Sequence, residues 1–259
     1  MEKILKILLD LDGCVTAPSG NTDSSVTSGL QGIREIIAQA GEIGLPNFVA
    51  CTGREGRWAA AILYSLGATK GWSVVESGLF LLNMATGETK RHPALTPEIM
   101  QLFQEGVSPI VRQICKERPE IILYKGNEIS AALEIQGNAR LTIPELYDVV
   151  SNALQALLAG GHIKIHASDI AVDITPGIDK GNGIAFLSAI TGVDPANMLF
   201  IGDTGGDIPA LEKVGYTGCP GNSTPECKAF VRSRRGHVSD SGYSAGVLGT
   251  IKHYKHLMF

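Results

Sequence analysis

The run Ile4-Leu5-Lys6-Ile7-Leu8-Leu9 followed by Asp10-Leu11-Asp12-Gly13 constrains this chain more than any other stretch. A short, nearly continuous apolar segment reads as a strand buried on both faces. Strands of that kind belong to parallel sheets covered by helices on both sides. Side chains alternate along a strand, so Asp10 and Asp12 project to one side and Leu11 away from them. Two carboxylates side by side at the end of a buried strand repel each other and are costly to desolvate. Such a pair persists where a cation sits between them or where one carboxyl keeps a proton for acid–base work. On these residues alone, a strand end turning into solvent through Asp-Gly reads equally well.

The rest of the chain repeats the opening rhythm. A polar loop from Ala17 to Ser25 precedes a helical pattern at Leu30, Ile33, Ile36, Ile37 and Ala40, ended by Gly41 and Gly44. Asn47–Cys51 predicts a second buried strand, a helix follows through Trp58, Ala61, Ile62 and Leu66, and Trp72–Glu76 predicts a third strand. This alternation predicts an open parallel sheet with right-handed crossovers. Beyond Phe80 the pattern changes. A hairpin near Thr86-Gly87, a long helix over Pro97–Arg118, strands at Ile121–Tyr124 and Ser130–Ile135, a helix over Pro144–Leu158, and strands at Ile163–His166 and Ala171–Ile174 predict an inserted α+β unit. The first rhythm returns from Lys180. The expected organisation is an α/β, Rossmann-like core in two parts, residues 1–81 and 172–259, around an α+β cap at residues 82–171.

Composition narrows the partners. A net charge of −4 gives no electrostatic reason to expect nucleic acid or an anionic membrane. The basic group Lys228, Arg232, Arg234, Arg235 and His237 lacks interleaved aromatics beyond Phe230, and reads as a solvated face. The five cysteines are scattered without CxxC spacing, which predicts reduced thiols and a cytoplasmic protein. No apolar run approaches membrane-spanning length. Monomer and homodimer both remain open.

Three further strand ends carry polar residues, and an open α/β sheet binds ligands beyond the carboxyl ends of its strands. Thr52-Gly53-Arg54 supplies a hydroxyl and free N–H groups at a helix start, which suits an anion and equally suits a plain N-cap. Lys180 follows the N-cap residue Asp179, where a cation opposes the helix dipole at a cost of about 0.3–1 kcal/mol. A lysine held there is well placed to meet an anion. Gly202-Asp203-Thr204-Gly205-Gly206-Asp207 adds two carboxylates on a glycine-rich turn. Together these groups bring four Asp against one Lys. That negative excess demands a divalent cation, and all-oxygen ligands with a substrate phosphate suit Mg²⁺.

In order and placement, Asp10-Leu11-Asp12-Gly13, Thr52-Gly53-Arg54, Lys180 and Gly202-Asp203…Asp207 resemble the four motifs of the haloacid dehalogenase-like phosphatase superfamily. The insertion resembles the type IIB cap of its sugar-phosphatase branch, which includes sucrose-phosphate, mannosyl-phosphoglycerate and Cof-like phosphatases. Glu76-Ser77-Gly78, Val172-Asp173-Ile174-Thr175-Pro176 and Gly221–Glu226 add to the likeness. The resemblance implies a Mg²⁺-dependent phosphomonoester hydrolase acting on a small phosphorylated metabolite, a sugar phosphate or phosphorylated glycoside. It makes Asp10 the nucleophile and Asp12 the general acid and base. Thr52, Gly53 and Lys180 become phosphate ligands, and Asp10, Asp12 (through its carbonyl), Asp203 and Asp207 hold the metal. Two positions depart from the pattern: Gly206 stands where Asn is common and Cys14 where Thr is usual. In the cap, Lys125, Glu128, Glu134, His166 and Ser168, with Arg54 from the core, are the candidates for reading the leaving group. Phosphomannomutase-like transfer, and a silent binding protein on the same fold, are the competing readings.

Overall fold

A computed structural model of the chain describes residues 3–17, 24–137, 140–168 and 170–259. Most of the polar loop expected after Ala17 lies outside these residues. Strand β1 (Lys6–Leu9) is buried throughout. Ile7 and Leu9 join the apolar cluster on one face, Leu8 the cluster on the other. This is why the segment reads as continuously apolar rather than alternating. It pairs in parallel with β2 (Asn47–Ala50) and β10 (Met198–Ile201), and the five-stranded order is β12-β11-β10-β1-β2, with β11 at Tyr216–Cys219 and β12 at His237–Val238. All four pairings are parallel. Helices α1 (Ser25–Ser28), α2 (Leu30–Ile43), α3 (Gly56–Ser65) and α11 (Tyr243–His253) lie in the first part and at the end of the chain. Apolar residues of α2, α3 and α11 pack with Ile7 and Leu9. Those of α8 (Lys180–Thr191), α9 (Ile208–Lys213) and α10 (Pro225–Ser233) pack with Leu8.

Strand β3 (Trp72–Val75) meets the parallel sheet through the Cys51–Val74 bridge and a hydrogen bond from the Thr52 N–H to the Val74 carbonyl at 3.1 Å. It then continues antiparallel into β4 (Phe80–Asn83) and β5 (Thr89–Arg91). A second sheet has the order β6-β7-β9-β8, formed by Ile121–Leu123, Ala131–Ile135, Ala171–Thr175 and Lys164–Ala167. It is antiparallel, and packs around Leu133, Val172 and Ile174 against α5 (Ser108–Glu117), α6 (Ile143–Ala153) and α7 (Gln155–Ala159), whereas Ile99 and Met100 of α4 (Pro97–Leu102) pack with the cluster of Ile7 and Leu9.

Several expected boundaries move. The hairpin strand β5 stays with β3 and β4, and β9 belongs wholly to the second sheet. The sheets therefore change over later than residue 82 and later than residue 171, and we propose that the inserted unit runs from Pro93 through Thr175. The long helix expected over Pro97–Arg118 is interrupted by a π turn at Phe103–Val107. Pro109 has no N–H and crowds the carbonyl four residues back, so the ladder widens there.

Candidate active site

The registers of the central strands assemble the site. Leu9 lies opposite both Ala50 and Ile201, so the residues that follow leave the sheet at the same edge: Asp10, Thr52 and Asp203. The Asp10 carboxyl is buried and accepts from its neighbouring Leu11 N–H at 2.9 Å. Lys180, first residue of α8, reaches down to it at 3.1 Å and to Asp207 at 2.6 Å. Oxygens of Asp10, Asp203 and Asp207 all lie within 4.8 Å of one another, and all three residues are buried.

Each position in this cluster has a local reason. Gly13 is left-handed at φ +78°, and a Cβ there would stand 2.0 Å from Asp203 Oδ2. Only glycine turns the chain beneath Asp203. Asn222 donates to the Gly13 carbonyl at 2.8 Å and accepts from the Tyr243 N–H at 2.7 Å, tying this turn to the loop after β11. Asp207 caps its own loop, accepting from the N–H groups of Asp203 at 2.8 Å and Thr204 at 3.1 Å. Asp179 and Asn182 form a reciprocal cap on α8, which holds Lys180 in the first helical turn.

Burial pushes the Asp10 carboxyl up to about 7, aided by Asp207 and Asp12 and opposed by Lys180. Burial works against the Lys180 charge, but Asp10 and Asp207 outweigh it and hold its ammonium well above the usual lysine range. Three buried carboxylates against one ammonium form an all-oxygen donor set in negative excess. The oxygens of an octahedral Mg²⁺ shell are at most about 4.2 Å apart, so the trio fits such an ion with small side-chain movements. The Asp12 side chain stands outside the trio. It is held by Arg54, with Nε at 2.8 Å and Nη2 at 3.4 Å from its two oxygens. Cys14 is fully buried, and burial together with Asp203 and Asp10 pushes its thiol far up, so it serves as packing.

Arg54 also joins core to cap. Its Nη1 donates to Glu134 of β7 at 3.3 Å, and its guanidinium stacks 4.7 Å from the Tyr124 ring. Tyr124 in turn donates to Glu55 at 2.9 Å. A second tie is Glu76, buried and left-handed at φ 45°. Its carboxylate accepts from the backbone N–H groups of Glu128 at 2.8 Å, Ile129 at 3.2 Å and Ser130 at 3.5 Å, and from the Ser130 hydroxyl at 3.3 Å.

Between core and cap lies a cavity of about 510 Å³. Its lining includes Asp10, Asp12, Thr52, Gly53, Arg54, Lys180 and Asp203 from the core, with Glu134, His166 and Ser168 from the cap. Asp207 sits just behind, fully buried. Lys125 and Glu128 are exposed and outside this lining; the 124–130 loop turns its backbone, not these side chains, toward the core. Tyr124, Asp173 and Asn222 line the cavity and went unnamed as site residues. For Asp173 a signal existed, a single charge inside the otherwise apolar strand Ala171–Ile174. His166 accounts for Gly206. A Cβ at 206 would stand 2.4 Å from His166 Nε2, which lies 3.5 Å from Thr204 Oγ1.

Comparison with known proteins bears on this geometry. The family model for haloacid dehalogenase-like hydrolases matches residues 121–248, a span that includes Lys180, Asp203 and Asp207. The chain belongs to the haloacid dehalogenase-like hydrolases. Within that family it is 27% identical over 110 residues to the 5-amino-6-(5-phospho-D-ribitylamino)uracil phosphatase YbjI of Escherichia coli, covering 42% of this chain. It is 31% identical over 85 residues to a phosphoglycolate phosphatase of Methanoculleus marisnigri, covering 33% of this chain. These alignments span 41% and 35% of the relatives' own length. As a fold, the hydrolase resembles Thermoplasma acidophilum 0175 with TM-score 0.71 at 21% identity, covering 98% of this chain and 99% of that one. It resembles the Synechocystis sucrose-phosphatase, solved with sucrose and phosphate, with TM-score 0.69 at 19% identity over 98% of each chain. Among the described residues no helix is long and apolar enough to cross a membrane.

Proposed function

We propose that this hydrolase is a Mg²⁺-dependent phosphatase that removes phosphate from a small phosphorylated metabolite by way of an aspartyl-phosphate on Asp10. The observation that carries the reading is the Asp10 carboxylate. It is buried at the floor of the cavity with Lys180 at 3.1 Å and two further carboxylates beside it. Asp10, Asp203 and Asp207, with the carbonyl of Asp12, would hold Mg²⁺, which when bound neutralises phosphoryl oxygens and keeps Asp10 ionised.

The chain's own residues divide the remaining work. Lys180 and the Thr52–Gly53 turn bind the phosphoryl oxygens, and Asp10 Oδ attacks phosphorus as the ester P–O bond breaks. Asp12, beside Asp10 at the cavity wall, donates a proton to the departing oxygen. It then takes a proton from the water that opens the aspartyl-phosphate, releasing inorganic phosphate and restoring both carboxyls. Arg54 orients Asp12 through its two hydrogen bonds and, through Glu134, makes that orientation depend on the cap. Closure of the cap keeps bulk water away from the intermediate. A sugar phosphate or phosphorylated glycoside suits the polar lining contributed by Glu134, His166 and Ser168.

The test is phosphate release from a panel of phosphorylated metabolites with Mg²⁺, comparing wild type with Asp10→Asn. We expect the variant to fold and to lose roughly 10³-fold or more in kcat. Near wild-type turnover by the variant would remove Asp10 as nucleophile.

A further inference from the structure

Asp173 is a carboxylate the mechanism does not use. It sits on β9 with Ala132 of β7 and His166 of β8 directly beside it in the sheet. All three face the cavity, as do Ala171 and Glu134 at the next cross-strand position. Ala132 across the sheet and Ala171 along the strand leave the Asp173 carboxyl open on those two sides, with His166 beside it on the other. Among the described residues it has no hydrogen bond and no ion pair. Burial pushes its carboxyl up to about 6, with Lys180 and Arg54 opposing. An acceptor so placed, half-buried in the cavity wall and without a protein donor, is satisfied only by water or by a donor on whatever the cavity binds.

The surrounding charges say what that donor belongs to. The cationic side chains lining the cavity are Arg54, Lys164 and Lys180, and each is already paired: Arg54 with Asp12 and Glu134, Lys164 with Asp179, Lys180 with Asp10 and Asp207. His166 is held toward its neutral form by burial. A phosphoryl group on the floor is met by Lys180. A second anion, carried on the leaving group, would face Asp173 and Glu134, and the remaining described cations of the lining, Arg54 and Lys164, are each already engaged by protein carboxylates.

We propose that Asp173 is a specificity-determining residue: its carboxylate accepts a hydrogen bond from a hydroxyl of the group esterified to phosphate, and it turns away esters whose leaving group carries a carboxylate. The substrate class is then a phosphate ester of a neutral polyol. This rests on the phosphatase reading and adds to it the residue that chooses the leaving group.

The experiment measures kcat/KM of wild type, Asp173→Asn and Asp173→Ala with Mg²⁺ on three esters: sorbitol 6-phosphate, 2-phosphoglycolate and p-nitrophenyl phosphate. The first has hydroxyl donors, the second a carboxylate, the third neither. We expect wild type to prefer sorbitol 6-phosphate over 2-phosphoglycolate, and Asp173→Ala to lower that ratio by roughly 10- to 100-fold. Asp173→Asn keeps the shape and an acceptor but removes the charge, so it should gain on 2-phosphoglycolate while losing less on the polyol ester. Wild-type preference for 2-phosphoglycolate, or variants that scale all three esters alike, would overturn the assignment. Wild-type turnover of p-nitrophenyl phosphate separates the two levels. With it, a failed ratio refutes the role of Asp173 alone; no hydrolysis of any ester refutes the phosphatase reading, and the selector falls with it.

Discussion

Replacing Gly206 by Ala tests whether the cap and the acid loop are built to fit each other. The backbone at Gly206 is not left-handed, so alanine is conformationally allowed there. At such a site Gly→Ala by itself stabilises by about 0.4–1 kcal/mol, through the unfolded chain. Against this, the new Cβ would lie 2.4, 2.5 and 3.0 Å from Nε2, Cδ2 and Cε1 of His166, well inside van der Waals contact. Overpacking of this kind costs about 1–3 kcal/mol. The strain falls on the closed arrangement of cap and core, because His166 belongs to β8 and Gly206 to the loop after β10. The core should therefore melt at or slightly above its wild-type temperature. The closed state should lose on the order of 1–2 kcal/mol, or roughly 5- to 30-fold in kcat/KM. The assay is a double-mutant cycle with His166→Ala, reading steady-state kinetics and thermal unfolding for all four proteins. Once the ring is gone, alanine at 206 has nothing to strike, and its kinetic effect should shrink to less than about twofold. A Gly206→Ala penalty of equal size with and without His166 would refute the reasoning.

Chelation with EDTA should abolish phosphate release and Mg²⁺ should restore it, since Lys180 alone does not balance three buried carboxylates; turnover indifferent to both would remove the metal from the site. Glu76→Gln places an amide donor against some of the four donors that Glu76 now receives, which costs about 1–3 kcal/mol at the core–cap junction. Amide hydrogen exchange at residues 128–130 should accelerate while the core sheet stays protected, and unchanged exchange would show that the tie is dispensable. Asp173 predicts a pH effect on stability. Its carboxyl is raised to about 6 in the folded chain, so the native state holds that proton more tightly than the unfolded one. The resulting stability is present below about pH 4 and is lost as pH rises through 6. Asp173→Asn should therefore melt above wild type at pH 7 to 8, by at most about 3 kcal/mol, with the gap closing toward pH 4; a constant gap would contradict this.

The floor of the cavity is legible in the sequence because buried parallel strands leave a strong local mark, and their ends inherit a common edge. Lys6–Leu9, Asn47–Ala50 and Met198–Ile201 read as strands from their apolar runs alone. Once three such strands lie side by side in parallel, the residues that follow them must meet. Asp10, Thr52 and Asp203 are therefore neighbours by topology, whatever the intervening loops do. The cap has no equivalent constraint. Its polar residues suit solvent and cavity equally well, and only docking onto the core decides between them. That is how Glu134 comes to face Arg54 while Lys125 and Glu128 remain outside. Gly206 shows the limit most clearly. Its backbone angles permit any residue, so no local rule asks for glycine there. The requirement comes from the His166 ring, carried on a strand of the other sheet, and it exists only when the cap is in place. A glycine demanded by a distant side chain, and an acid left without a donor as Asp173 is, are properties of the closed assembly. Both fall where the cap meets the core.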